Sequence, residues 1–354
     1  MEARRHRSTP AARFRKQRRC AMTTLVTGAT GFIGARLVDA LLQQGDIVRV
    51  LARESSDCSG LIGKDVVIFR GALDSREDVI EAMSGCDRVF HLAAFAKNWA
   101  RDEAAASRVN TDAVRNVFNV ALECGVERVV YTSTIMTYGP SNGAPVSEDT
   151  VRSIPPQTIY DRSKIDAEEE VESALQRGLD VVVLHPTRVY GPGKLTEANS
   201  TTILIKQYLS GTWRTIPGNG SAVGNYVYVN DVVRGCISAM DRGRKGGHYI
   251  LGGANLTYTE LFGLIAAAGG KRRALLSIPK PVAKAFSYIE LGLGKIGLRE
   301  PAITPAWVDI FYDDWMVSIA RARQEIGYEP TPVEQALAET IAWIRRGSPT
   351  EVTS

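Results

Sequence analysis

Apolar positions follow two rhythms through the first half of the chain. Short runs dense in Val, Ile and Leu alternate with stretches in which apolar residues recur every three or four positions. The runs are TTLVTGA (23–29), IVRVLAR (47–53), VVIFRG (66–71), RVFHLAA (88–94), RVVYTST (128–134) and DVVVLHP (180–186). Between them lie FIGARLVDALLQQG (32–45), SREDVIEAMSGC (75–86), DEAAASRVNTDAVRNVFNVALECG (102–125) and a helix beginning near Ser163. The first of these puts Ile33, Leu37, Ala40 and Leu41 on one face and stops at Gly45; the second opens on Ser75 with acids in its first turn. Strands this continuously apolar are covered on both faces, and helices between strands make them parallel. The pattern predicts an α/β fold: a doubly wound parallel Rossmann sheet.

After Pro186 the rhythm breaks. GPGKLTEAN, IPGNGSAVGN and LGGANLTYTE are rich in turn formers, with helical patches LFGLIAAAG and PVEQALAETIAWIRRG between them. This predicts a smaller C-terminal substrate lobe closing over the C-terminal edge of the sheet, where open α/β folds bind ligands. The expected division is a dinucleotide-binding domain over 22–185 and a lobe over 186–346 with some segments returning to the sheet. Tails at 1–21 and 347–354 flank them. The stretch PVAKAFSYIELGLGKIGL (281–298) is expected to be a packed helix, with an interfacial membrane helix as the alternative.

Charge changes the picture only at the N-terminus. The chain carries +4, but residues 1–21 alone carry +7. The rest is therefore mildly acidic, and the overall basicity implies no nucleic-acid partner. The basic tail lacks apolar periodicity and is expected to be disordered. It has no apolar segment of a secretory signal, and translation from Met22 is the expectation, with organelle targeting as the alternative. No apolar run is long enough to span a bilayer. Five cysteines in no CxxC spacing fit a reducing cytoplasm and predict neither disulfides nor a metal site.

The stretch VTGATGFIGARL joins a strand to a helix. Gly28 suits the tight turn, Gly31 the approach of a pyrophosphate to the backbone, and Gly34 close packing of helix on strand. The amides from Thr30 through Phe32 and Ile33 would meet phosphate at the helix N-terminus. The second strand ends on Arg53, followed by Glu54, Ser55 and Ser56. Arg53 and a serine suit a 2′-phosphate and favour NADP(H); Glu54 pulls toward NAD(H), and Arg53 can also stack on adenine. Tyr160 and Lys164 in IYDRSK sit one helical turn apart, where the ammonium would favour phenolate. Ser133 and Thr134 end a strand at the ligand edge of the sheet.

GATGFIG, YTST, YDRSK and HPTRVYGPG together resemble the extended short-chain dehydrogenase/reductase family, also called the NAD-dependent epimerase/dehydratase family. HLAAFAKNWARD, GPGKLTEAN and HYILGGANLT are most similar to its dihydroflavonol-reductase-like and farnesol-dehydrogenase-like branch. The resemblance implies that Tyr160 donates or accepts the proton, that Lys164 is its partner, and that Thr134 is the catalytic Ser/Thr with Ser133 beside it. It implies a cofactor lined by Leu73, Ala93, Ala94, Asn110 and Pro186, a structural Asp231, and a possible homodimer. Ala72 stands where relatives carry an adenine-contacting Asp. Gly224 stands where nucleotide-sugar members carry a phosphate-binding Arg. The expected activity is hydride transfer between nicotinamide and a carbonyl or alcohol of a small, apolar substrate. The alternative is an NAD-retaining nucleotide-sugar epimerase or dehydratase. Leu195, Ile203, Leu204, Tyr208 and Trp213 are candidate lid residues, or equally the lobe's core.

Overall fold

The alternation of rhythms folds into a seven-stranded parallel sheet. The computed structural model describes residues 21–94, 99, 103–195 and 199–347, with 103–109 as backbone alone. Most of both expected tails, 1–20 and 348–354, lies outside the described residues. The strands are β1 (Thr23–Thr27), β2 (Ile47–Ala52), β3 (Val66–Arg70), β4 (Arg88–His91), β5 (Arg128–Thr132), β6 (Val181–Pro186), β7 (Arg188–Tyr190), β8 (Thr215–Pro217), β9 (Val223–Tyr228), β10 (His248–Leu251), β11 (Ala254–Thr257) and β12 (Leu276–Ile278). The helices are α1 (Phe32–Gln44), α2 (Arg76–Met83), α3 (Glu103–Glu123), α4 (Ile159–Gln176), α5 (Ser200–Ser210), α6 (Val229–Arg242), α7 (Tyr258–Gly269), α8 (Lys280–Lys295), α9 (Pro305–Tyr312), α10 (Ala320–Ile326) and α11 (Val333–Arg345).

The sheet runs β10-β6-β5-β4-β1-β2-β3, and every pairing in it is parallel. The chain leaves β1 toward β2 and β3, then returns to add β4, β5 and β6 on the other side. That reversal makes the crevice between β1 and β4 the topological switch point, where such sheets bind ligands. Side chains alternate across the sheet. Val26, Val130, Val182 and Leu184 enter the cluster beneath α1 and α6, whereas Leu25, Val129, Tyr131 and Val183 enter the one beneath α2, α3 and α4. With both faces covered, the strands need apolar residues at successive positions.

Local signals are honoured. Ser75 caps α2 by accepting the Asp78 amide at 3.2 Å. Gly45 ends α1 at φ +89°, a left-handed conformation that glycine adopts without strain.

Beyond β6 lie a small sheet β11-β9-β7, a β12-β8 pair and the remaining helices, while β10 returns to the main sheet. Tyr190, Tyr208, Tyr228, Tyr258 and Phe262 of this half share one apolar cluster with Val26 and Leu37. The boundary near 186 therefore marks a change of architecture, not a gap between two cores. Asp231 is buried in α6 and accepts the amide (2.9 Å) and hydroxyl (2.7 Å) of Thr331, tying α6 to the chain before α11. Among the described residues no helix is long and apolar enough to cross a membrane.

Candidate active site

The glycine turn sits at the switch point. Gly28 has φ +73°, and a Cβ there would lie 2.7 Å from the amide nitrogen of Ala93, just beyond β4. A Cβ on Gly34 would lie 2.1 Å from the Gly28 carbonyl oxygen, closer than any side chain is tolerated. Each glycine thus answers a specific approach: turn against β4, and helix against turn. Gly31 opens α1, and no side chain caps its first amides. A strand, a tight glycine turn and a helix N-terminus without a side-chain cap fit the pyrophosphate of a dinucleotide. The side chain of Phe32 is buried and that of Ile33 packs on the core, while Thr30 is half-buried in the turn. Arg36 fastens this turn to the lobe, donating to the Pro192 carbonyl (2.9 Å) and to Asn230 Oδ1 (2.8 Å).

Arg53 is exposed at the tip of β2 and its carbonyl accepts from Arg70 Nη1 at 3.0 Å. Arg70 also holds the Ser56 carbonyl at 3.0 Å. A second guanidinium, from the end of β3, therefore stands beside the Arg53–Ser56 turn. Leu73 packs against the cluster beneath α2, and its carbonyl accepts from Asn116 at 2.7 Å. Ala72 leaves its own amide to Asp78 Oδ2 at 2.8 Å. Ala93 and Ala94 follow β4, while 95–98 lie outside the described residues. Pro186 is buried at the end of β6, in register with Leu251. Asn110 on α3 is buried and donates to Ser163 Oγ at 2.9 Å, and Ser163 in turn donates to the Tyr160 carbonyl at 2.8 Å.

Tyr160 lies in the first turn of α4, which is fixed by a capping box between Thr158 and Asp161. Arg152 pairs with the buried Asp161 at 2.8 Å and also donates to the carbonyls of Met136 and Thr137. It thereby locks the Thr134–Thr137 turn to the start of α4. Burial pushes the Tyr160 phenol up to about 12, and the nearby hydroxyl of Thr134 pulls the other way. Lys164 is fully buried. Its Nζ donates to the Thr132 carbonyl at 2.9 Å and the Tyr131 hydroxyl at 3.3 Å, so it is turned to the end of β5. Burial lowers it to about 8, opposed by the charge of Glu168. In the protein alone, desolvation is the largest influence on Tyr160.

Ser133 and Thr134 part company. Thr134 faces Tyr160, while Ser133 donates to Glu168 Oε1. Glu168 lies four residues beyond Lys164, within 3.7 Å of His185 Nδ1. His185 Nε2 then meets His248 Nδ1 at 3.0 Å, with ring centroids 5.2 Å apart. A 3.0 Å contact spans that separation only when the rings meet edge to edge. Glu168, His185 and His248 could offer three donor atoms within 4.8 Å of one another to a metal ion. His185 Nδ1 is also 3.2 Å from the Thr134 carbonyl, so both of its nitrogens already have hydrogen-bond partners. The trio fits a hydrogen-bonded chain from Ser133 to the half-buried His248. Burial lowers both histidines to about 4 and raises Glu168.

Tyr160 packs on an apolar cluster that includes Ile135, Met136 and, from α9, Ile310, and Tyr138 and Trp307 pack on the same cluster. Trp307 Nε1 is buried with no partner among the described residues, as are Thr132 Oγ1 and His91 Nε2 at the strand ends. Of the candidate lid residues, Leu195 and Ile203 line an open groove of about 380 Å³ with Lys206, Gln207, Ser210 and Thr212. Tyr208 is core, and Leu204 and Trp213 pack against that core. Gly224 has a packing cause: a Cβ there would meet Arg188 Nη1 at 2.6 Å. Arg188 occupies that space and is held by the Tyr226 (3.3 Å) and Tyr258 (3.0 Å) hydroxyls and the Ile310 carbonyl (3.3 Å).

Comparison with known proteins agrees with this geometry. The profile of the NAD dependent epimerase/dehydratase family matches residues 24–252. Sterol demethylase protein B of Methylococcus capsulatus is 32% identical over 328 residues, 92% of this chain and 98% of that protein. A Synechocystis protein, named provisionally a dihydroflavonol 4-reductase, is 30% identical over 90% of this chain and 94% of its own length. The UDP-glucose 4-epimerase of Thermotoga maritima, solved with UDP-glucose, superposes with TM-score 0.76 at 26% identity, covering 92% of this chain and 99% of that one.

Proposed function

Because this chain belongs to the NAD dependent epimerase/dehydratase family, we propose that it exchanges hydride between NADP(H) and a secondary alcohol or ketone on a small apolar substrate. A nicotinamide dinucleotide, when bound, supplies the hydride donor or acceptor; the chain's own residues do the rest. The glycine turn at 28–34 receives the pyrophosphate, and Arg53 with Arg70 receives a 2′-phosphate. Asn110 steadies α4 through Ser163. Lys164, a cation at neutral pH, reaches the ribose side from the end of β5. Tyr160 carries the proton to or from the substrate oxygen, and Thr134 holds that oxygen in hydrogen-bond reach. The walls from Ile135, Met136, Tyr138 and Trp307 exclude water and suit an apolar skeleton.

The observation that carries this reading is Tyr160 packed, with Trp307 of α9, on the apolar cluster built around Ile135 and Met136 just beyond β5. A sterol-named relative and a reductase-named one support the substrate class. The four described cysteines are free, consistent with a reducing cytoplasm.

The epimerase reading draws on the Thermotoga enzyme. Against it, the space at residue 224 is filled by Arg188, which is held by phenols inside the lobe. The test is nucleotide content after denaturing the purified protein, followed by NADPH oxidation with apolar ketones. An empty site that oxidises NADPH supports the reductase; stoichiometric released NAD refutes it. Replacing Tyr160 with Phe is expected to lower kcat by at least about 100-fold while nucleotide binding persists.

A further inference from the structure

Helix α8 is built inside out. Its buried residues are Ser287, Glu290 and Gly294, and Lys284 on its packed side pairs with Asp309 of α9 at 2.5 Å. Glu290, 1% exposed, takes Arg299 and the Ala302 amide. The apolar residues point the other way. Val282 (57% exposed), Phe286 (52%), Ile289 (62%) and Ile296 (71%) stand in solvent. With the half-buried Leu293 they are spaced by four, three, four and three residues, which places all five on one stripe. Leu276 in β12 before the helix, Leu298 after it and Tyr288 on it are exposed as well. A water-facing helix with its polar groups inward and its apolar stripe outward wants a cover.

Charge selects the cover. Residues 271–300 carry seven cations, Lys271, Arg272, Arg273, Lys280, Lys284, Lys295 and Arg299, against two acids, Glu290 and Glu300. Lys280 and Lys284 are neutralised by Asp309 and Asp313, and Arg299 by Glu290. Exposed Lys271, Arg272 and Lys295 make no ion pair among the described residues, and α8 exposes no acid. The chain beyond residue 21 is net acidic, so this basic, apolar segment is a local exception. A second copy would meet it poorly. Antiparallel stripes related by a two-fold axis would bring Lys295 of each copy toward the Lys280 end of the other, with no exposed acid on α8 to answer. Anionic lipid headgroups answer the cations, and acyl chains answer the stripe.

We propose that α8 is an interfacial docking helix that seats the protein on an anionic bilayer surface. The opposite, packed face of α8 leads toward the reacting centre. Asp309 on α9 holds α8, and Trp307 on the same helix packs in the cluster that contains Tyr160. The inference does not depend on the substrate reading.

The test is co-sedimentation of the full chain with phosphatidylcholine vesicles, with and without a third of phosphatidylglycerol, at low and high salt. The expected result is binding to the anionic vesicles, weakened by salt. Phe286→Glu with Ile289→Glu should weaken binding by at least about tenfold, and Lys295→Glu should act in the same direction. Thermal melting of each variant should match the parent, since the replaced side chains are in solvent. Absence of binding to anionic vesicles, or equal binding to both vesicle types at any salt, overturns the proposal. So does a dimer in sedimentation equilibrium that the double substitution dissociates, because a second copy would then be the cover.

Discussion

His185→Gln should make the protein markedly less acid-sensitive. His185, on β6, is wholly buried against α4 and the turn after β5, and burial lowers its pKa from 6.5 to about 4. A histidine with a depressed folded pKa is neutral in the native state over a range in which the unfolded chain is protonated. Its contribution to stability is therefore intact above about 6.5 and falls as pH drops toward about 4. Between about pH 7.5 and pH 5 the two pKa values predict a loss of roughly 2 kcal/mol from this one imidazole. The groups facing it are Glu168 and Lys164 from α4, His248 from β10, and Thr137 and Tyr138 from the turn after β5. Arg321 and Arg244 act on His248 from the far side. Glu168, with its raised pKa, takes up its proton in the native state and offsets part of the loss in both proteins. Comparing parent and variant cancels that offset apart from its coupling to His185. The assay is urea unfolding followed by tryptophan fluorescence at the two pH values. The difference in stability between the parent and the His185→Gln variant should shift by about 2 kcal/mol in favour of the variant at the lower pH. Identical pH dependences would refute the reasoning, because His185 would then bind its proton as readily folded as unfolded.

Gly34→Ala forces a Cβ against the Gly28 carbonyl, backbone against backbone, so α1 must move off the turn. Dinucleotide titration should show a loss of affinity larger than the accompanying stability loss of about 1–3 kcal/mol. Arg152→Ala leaves the buried Asp161 without its cation and frees the Met136 and Thr137 carbonyls. It should cost about 3 kcal/mol in denaturant unfolding, and kcat should fall more than KM rises, because the Thr134 turn loses its tie to α4. Arg70→Ala, alone or with Arg53→Ala, should weaken NADPH binding by about tenfold and leave NADH binding unchanged. Equal losses for the two nucleotides would make Arg70 a brace of the 53–56 turn and nothing more.

What the sequence made legible was local. Glycine spacing at a strand–helix junction needs only neighbours to be read, and so does the four-residue step from Tyr160 to Lys164. The sheet was legible because burial on both faces writes itself into consecutive residues. The direction of a side chain was not. Ser133 and Thr134 are adjacent, yet alternation at the end of β5 sends one to Glu168 and the other to Tyr160. Lys164 shares a helix face with Tyr160, but the Thr132 carbonyl and the Tyr131 hydroxyl hold its ammonium, and only the packing of α4 on β5 brings them there.

Long-range partners were illegible for the same reason. His185 and His248 are 63 residues apart and meet because β10 returns to pair with β6. A helical reading of 281–298 sees an apolar stripe and assigns it to the core. Only the ion pairs between α8 and α9 show that the polar side is the one packed. Gly224 carries the same lesson in reverse. An arginine absent from one position signals a lost phosphate contact only if its space stands open. Here Arg188 of β7 fills that space from the neighbouring strand, so the substitution is a matter of packing before it is one of ligand choice. Gly224→Ala would test this directly. A Cβ 2.6 Å from Arg188 Nη1 and 2.7 Å from the Tyr226 hydroxyl should displace the guanidinium and destabilise the lobe in denaturant unfolding. Full tolerance of the alanine would mean that Arg188 swings away freely, and that the cation is available to a ligand after all.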